Sequence, residues 1–122
     1  MSAEQIAEAQ SIAPVVCVQN FYNIAHRDDD DLIDALAKQN ISYVPYFPLG
    51  GFTPLQSAVL VSVAARLNVT PMAVALAWLL QRSTNILLIP GTSSRVHLHQ
   101  NVAGSSRAPS DEDVAELDAI AA

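Results

Sequence analysis

Three short apolar runs limit how this chain can fold: Val15-Val16-Cys17-Val18, the stretch from Ile41 to Phe47, and Ile86-Leu87-Leu88-Ile89. The first runs without polar alternation, as in a strand covered on both faces within a parallel sheet. Between the runs, apolar residues fall at helical spacing. Glu4 to Ser11 carries Ile6, Ala7 and Ala9 and stops before Pro14. Leu32, Ile33, Leu36 and Ala37 form a second stripe that ends at Gln39-Asn40. Pro54 to Leu67 forms a third, with Asn68 as its stop. Thr70-Pro71 opens a fourth helix, a capping hydroxyl followed by proline at the first helical position, and places Met72, Ala75, Leu76, Trp78 and Leu79 in the core. Ser110 and Asp113 have the spacing of a capping box ahead of Val114, Leu117 and Ile120. The predicted order is α, β, α, β, α, α, β, α, α. Such alternation implies parallel βαβ units in an α/β fold.

Composition excludes several function classes. Of 122 residues, 51% are hydrophobic, enough for a packed core. Six Lys and Arg against twelve Asp and Glu leave a net charge of −6, which argues against a nucleic-acid or anionic-membrane partner. The lone Cys17 rules out an intramolecular disulfide, and its apolar neighbours predict a buried, inert thiol. The first ten residues lack the basic start and apolar core of a secretion signal, so a cytoplasmic protein is expected.

Four adjacent carboxylates, Asp28 to Asp31, have the composition of a metal site but not the geometry, because neighbours on one helical turn fan outward. They are expected to be a solvated helix start, favourably placed against the helix dipole.

The stretch from Leu87 to Asn101 reads as strand, tight turn and helix N-terminus. The free N–H groups of a first helical turn bind anions, whereas Thr92, Ser93 and Ser94 can equally serve as ordinary helix caps. Local chemistry leaves both readings open.

Four segments, VVCVQNFYN, ISYVPYFPLGGF, LNVTPMAVALAWLLQ and ILLIPGTSS followed by HLHQNVA, occur in the order and at the spacing of one family. Over most of residues 12–103 the chain resembles the carboxyl-terminal part of the aldo-keto reductases. The resemblance implies a (β/α)8 barrel of the TIM type, with residues 1–122 supplying its sixth to eighth strands. A complete barrel takes about 250 residues, so this chain corresponds to about half of one. The implied activity is oxidoreduction, a hydride passing between NADP(H) and a small carbonyl or alcohol substrate.

Carried over by position, Gln19 corresponds to the residue that hydrogen-bonds the nicotinamide carboxamide, and Tyr46 to the aromatic that stacks on the ring. Leu49 and Gly50 match the turn along the pyrophosphate. Thr92 matches the hydroxyl beside the adenosine 2′-phosphate, and Gln100 and Asn101 the pair that meets adenine. Asn20 and Tyr22 are further candidates near the substrate mouth. At two cofactor-contacting positions the chain departs from the family: many members have Lys where Gly91 stands and Arg where His97 stands. Those cations favour NADP(H), so their replacement leaves NAD(H) as an alternative cofactor.

The family's catalytic Tyr, Lys, Asp and His belong to the first half of the barrel. No equivalent set can be assembled here, because Lys38 is the only lysine and lies near a helix end. No catalytic or metal-binding residue is assigned, and the isolated chain is expected to be inactive, whether gene fragment or truncated form. The alternative is a non-catalytic half-barrel module. In either case unpaired strand edges and apolar surface predict self-association or pairing with another chain.

Overall fold

A computed structural model describes residues 1–50 and 57–121. Helix α1 (Ala3–Gln10) is closed at its start by a capping box between Ser2 and Gln5 and buries Ile6. Strand β1 (Cys17–Phe21) leads through a loop into α2 (Asp30–Lys38), which buries Ile33 and Leu36 at i, i+3 spacing. Full burial of two such side chains stabilises the fold by roughly 1.5–3 kcal/mol each. The left-handed Asn40 (φ 56°) then turns the chain into β2 (Ser42–Tyr46).

Helix α3 (Ala58–Leu67) is capped by Ser57 and ends at the left-handed Asn68. The sequence expects this helix from Pro54; Pro54 and Leu55, like Gly51 of the predicted glycine break, lie outside the described residues. Helix α4 (Pro71–Arg82) begins as predicted, Thr70 accepting the Ala73 N–H at 3.2 Å. Its residues Ala73 to Leu79 are all buried, making it the central helix of the core. Helices α3 and α4 meet at 90°, and among the described residues no single helix is long and apolar enough to cross a membrane. Helices α5 (Arg95–Ser105) and α6 (Asp111–Asp118) complete the chain with a 3-10 turn at Ala119–Ala121, and the predicted Ser110–Asp113 capping box is present.

The two strands are parallel, aligning Cys17 with Ser42, Gln19 with Val44 and Phe21 with Tyr46. Ladder partners share a face. Val18, Asn20, Tyr43 and Pro45 form the buried side, with Val18 and Tyr43 packed into a core that includes Ile33, Leu36 and Trp78. On the opposite side Cys17, Gln19 and Tyr46 are exposed. The expectations of a strand covered on both faces and of a buried Cys17 therefore fail: on this side Val44 is buried, but Cys17, Gln19 and Tyr46 lie open.

The predicted third strand, Ile86 to Ile89, reduces to one parallel bridge between Tyr43 and Ile86. Tyr43 donates its N–H to Asn85 and accepts from Leu87, both at 2.9 Å. The next donor on that edge of β2 would be residue 45, and a proline has no N–H to give. The ladder stops there, so the described residues form two strands and a bridge rather than three full strands.

Candidate functional site

The site candidates lie where the strands end and the chain turns into helices. Phe47 (φ 54°) and Gly50 (φ 93°) are left-handed, and the Gly50 N–H closes the turn onto the Phe47 carbonyl at 3.0 Å. That conformation favours glycine at position 50. The turn leads from Tyr46, which is 45% exposed, to Leu49.

The junction after Ile89 has the expected form. Thr92 Oγ1 accepts the Ser94 N–H at 3.1 Å, and Ser94 caps α5 by accepting the His97 N–H at 3.3 Å. Both hydroxyls thus have ordinary structural roles as well. Along α5, His97, Gln100 and Asn101 share a face through i, i+3, i+4 spacing. They line a cleft of about 170 Å³ together with Leu49, Gly91 and Thr92. A larger hollow of about 360 Å³ extends from Tyr46 past Leu49 to Gly91. Leu49 and Gly91 border both, so the two hollows adjoin and are described together as a groove.

Seven of the nine candidates, Tyr46, Leu49, Gly91, Thr92, His97, Gln100 and Asn101, line that groove. Gly50 sits in the turn beside it, and Gln19 stands on the exposed sheet face, on the same side as Tyr46. Arg95 is exposed and lines neither hollow. Among the described residues, the smaller cleft has no Lys, Arg, Asp or Glu in its lining. A methyl group at Gly91 would meet nothing within 4 Å, so a side chain can leave the exposed backbone there without a clash at its first carbon.

The acidic run and the two mouth candidates are corrected by a partly buried polar network. Asp29 accepts from Asn20 at 2.6 Å and from the Tyr43 hydroxyl at 2.7 Å. Asp30 accepts from Tyr22 and from Arg27, and pairs with Arg82. Asp28 and Asp31 are exposed, whereas Asp29 and Asp30 are only partly so. Tyr22 is fully buried and stacked on Trp78, whose Nε1 donates to Asp118 at 2.9 Å. Neither Asn20 nor Tyr22 is therefore at a substrate mouth. Burial, then the hydrogen bond to Asp30, pushes the Tyr22 hydroxyl well above its ordinary pKa. Burial opposes ionisation of Asp30, but Tyr22 and Arg27 outweigh it and hold that carboxyl below its usual range. Adjacent carboxylates read alike in sequence; the arginines and tyrosines that separate them come from distant segments.

Comparison with known proteins gives a consistent result. The model of the Aldo/keto reductase family matches residues 1–122. Pyridoxine 4-dehydrogenase of Escherichia coli (strain K12) is 66% identical over 116 residues, covering 95% of this chain and 41% of that protein. An uncharacterized oxidoreductase of Schizosaccharomyces pombe is 34% identical, covering 97% of this chain and 39% of its own length. Among solved structures, a thermostable aldo-keto reductase in complex with the inhibitor epalrestat superposes with a TM-score of 0.88 at 30% identity, over 98% of this chain and 46% of the other. An aldo-keto reductase from Klebsiella pneumoniae in complex with NADPH gives 0.87 at 25% identity, over 98% and 45%. The chain thus spans less than half of these relatives.

Proposed function

Because the chain belongs to the aldo/keto reductase family, we propose that it is the cofactor-holding, carboxyl-terminal part of an NADP(H)-dependent carbonyl and alcohol oxidoreductase. The observation that carries this reading is the pair of adjoining hollows, one lined by Tyr46 and the other by Gln100 and Asn101, that meet at Leu49 and Gly91. An elongated dinucleotide suits such a groove. Tyr46 would offer its exposed ring to the nicotinamide, with Gln19 as the amide partner. Leu49 and Gly50 would pass the pyrophosphate, Thr92 the 2′-phosphate, and Gln100 and Asn101 the adenine. When bound, the cofactor supplies the hydride; the residues of this chain hold and orient it.

The 66% identity to pyridoxine 4-dehydrogenase supports a substituted pyridine alcohol or aldehyde as the substrate of the complete barrel. NADP(H) is the proposed cofactor on the strength of relatives in complex with it. Gly91 and His97 weaken that preference, since among the described residues the cleft has no permanent cation for the 2′-phosphate.

Chemistry in this reading needs the Tyr, Lys, Asp and His of the other half, so the 122-residue chain alone binds and does not turn over. Fluorescence titration with NADPH tests the first clause: the wild-type chain is expected to bind, and Tyr46→Ala and Asn101→Ala each to weaken it. NADPH-dependent carbonyl reduction by the pure chain, abolished in Tyr46→Ala, would overturn the second.

A self-associating half-barrel without a redox role is the second reading, favoured by the exposed Leu87, Ile89, Leu98 and Val102. Sedimentation giving a dimer with no affinity for NADPH or NADH would select it.

A further inference from the structure

The parallel register sets Phe21 directly beside Tyr46, on the same face as Gln19 two residues earlier. The Phe21 and Tyr46 rings are stacked, their centroids 5.9 Å apart and their planes 17° from parallel. Phe21 is itself stacked on the His26 imidazole at 4.2 Å. Phe47 meets Phe21 and Tyr46 edge-on, at 6.1 Å and 5.5 Å.

The loop that delivers His26 is anchored to the same corner. Asn23 and His26 exchange backbone hydrogen bonds, and Asn23 Nδ2 donates to the Phe47 carbonyl at 3.2 Å. Asn23 as a residue is 2% exposed, so this tie is shielded from water. Tyr46, by contrast, is 45% exposed, and its hydroxyl has no hydrogen-bond partner among the described residues. Its ring plane is set by neighbouring rings, because offset stacking and edge contacts fix relative orientation where a bare strand position would leave χ1 and χ2 free.

We infer that Phe21 is a positioning residue for Tyr46: backed by His26, it holds the tyrosine ring in the plane against which a nicotinamide would stack. The inference rests on the reading of Tyr46 as the nicotinamide platform. A leucine at position 21 keeps the strand position apolar but lacks the flat face, whereas a tyrosine keeps it.

The test compares two probes on the 122-residue chain. NADPH spans the whole groove, while adenosine 2′,5′-bisphosphate occupies only the end lined by Thr92, Gln100 and Asn101. For Phe21→Leu the expected result is NADPH binding weaker by about two- to tenfold, the factor that one aromatic pair supplies. Affinity for the bisphosphate should stay within about twofold, and Phe21→Tyr should recover most of the loss. Unchanged NADPH affinity in Phe21→Leu, while Tyr46→Ala does weaken it, would overturn the positioning role and leave the cofactor reading standing. Equal weakening of both probes would also overturn the role, because it would mark a general loss of fold. A wild-type chain that binds neither probe would refute the cofactor reading, and this inference with it.

Discussion

Gly104 on α5 lies directly against Ala73 on α4: a methyl group added at Gly104 would sit 2.8 Å from the Ala73 Cβ and 2.9 Å from its carbonyl oxygen. The two helices touch backbone to backbone at that point, and neither atom belongs to a flexible side chain. Gly104→Ala must therefore push α5 outward, at a cost of about 1–3 kcal/mol, despite alanine's better helix propensity. Thermal denaturation should show the loss. Because α5 also bears His97, Gln100 and Asn101, NADPH affinity should fall in the same variant.

Asp30 gives the acid limb of stability a specific cause. Its folded-state pKa lies below the unfolded value, so its contribution is present above the ordinary carboxylate range and is lost as pH falls through the depressed folded value. Asp30→Asn should lower stability at neutral pH by about 1–3 kcal/mol, toward the lower figure because the carboxylate is partly exposed. Melting temperatures of the two forms should converge as the pH drops below about 4. A constant difference across that range would contradict the assignment.

The open space at Gly91 makes the cofactor preference adjustable. Gly91→Lys should leave thermal stability unchanged within about 0.5 kcal/mol, since the position is exposed and the first side-chain carbon meets nothing. It should tighten NADPH by about three- to tenfold and leave NADH alone, the effect of one partly screened ammonium on a phosphate. Parallel titrations with both nucleotides provide the measurement, and equal gains for both would contradict a contact to the 2′-phosphate.

Cys17 reports on the uncovered sheet face. Its exposure predicts that an aromatic disulfide reagent titrates the thiol of the native chain without denaturant. Supplying the remaining strands of a barrel should slow that reaction. Labelling that requires unfolding would show the face to be covered already, by a second copy.

Most of the element order was legible because it depends on local signals: Thr70-Pro71 and Ser110 with Asp113 announce their helices whatever surrounds them. The failed third strand was also written locally, in Pro45, but its effect depends on which edge of β2 meets residues 85–87. The residues that line the groove were picked out only through family resemblance, since nothing in the local chemistry of Leu49 or Asn101 sets them apart. Cys17 and the Asp29–Asp30 pair were misread for one shared reason. Burial belongs to the tertiary arrangement, and Arg82, which pairs with Asp30, lies 52 residues away in the chain.

The Asn23 tie to Phe47 joins the loop after β1 to the turn after β2, two segments that would otherwise move independently. A ligand arriving at Tyr46 would meet a wall already assembled, with little ordering entropy left to lose on association. Amide exchange at Asn23 and His26 should accordingly be slow for loop positions, and should change little when nucleotide is added.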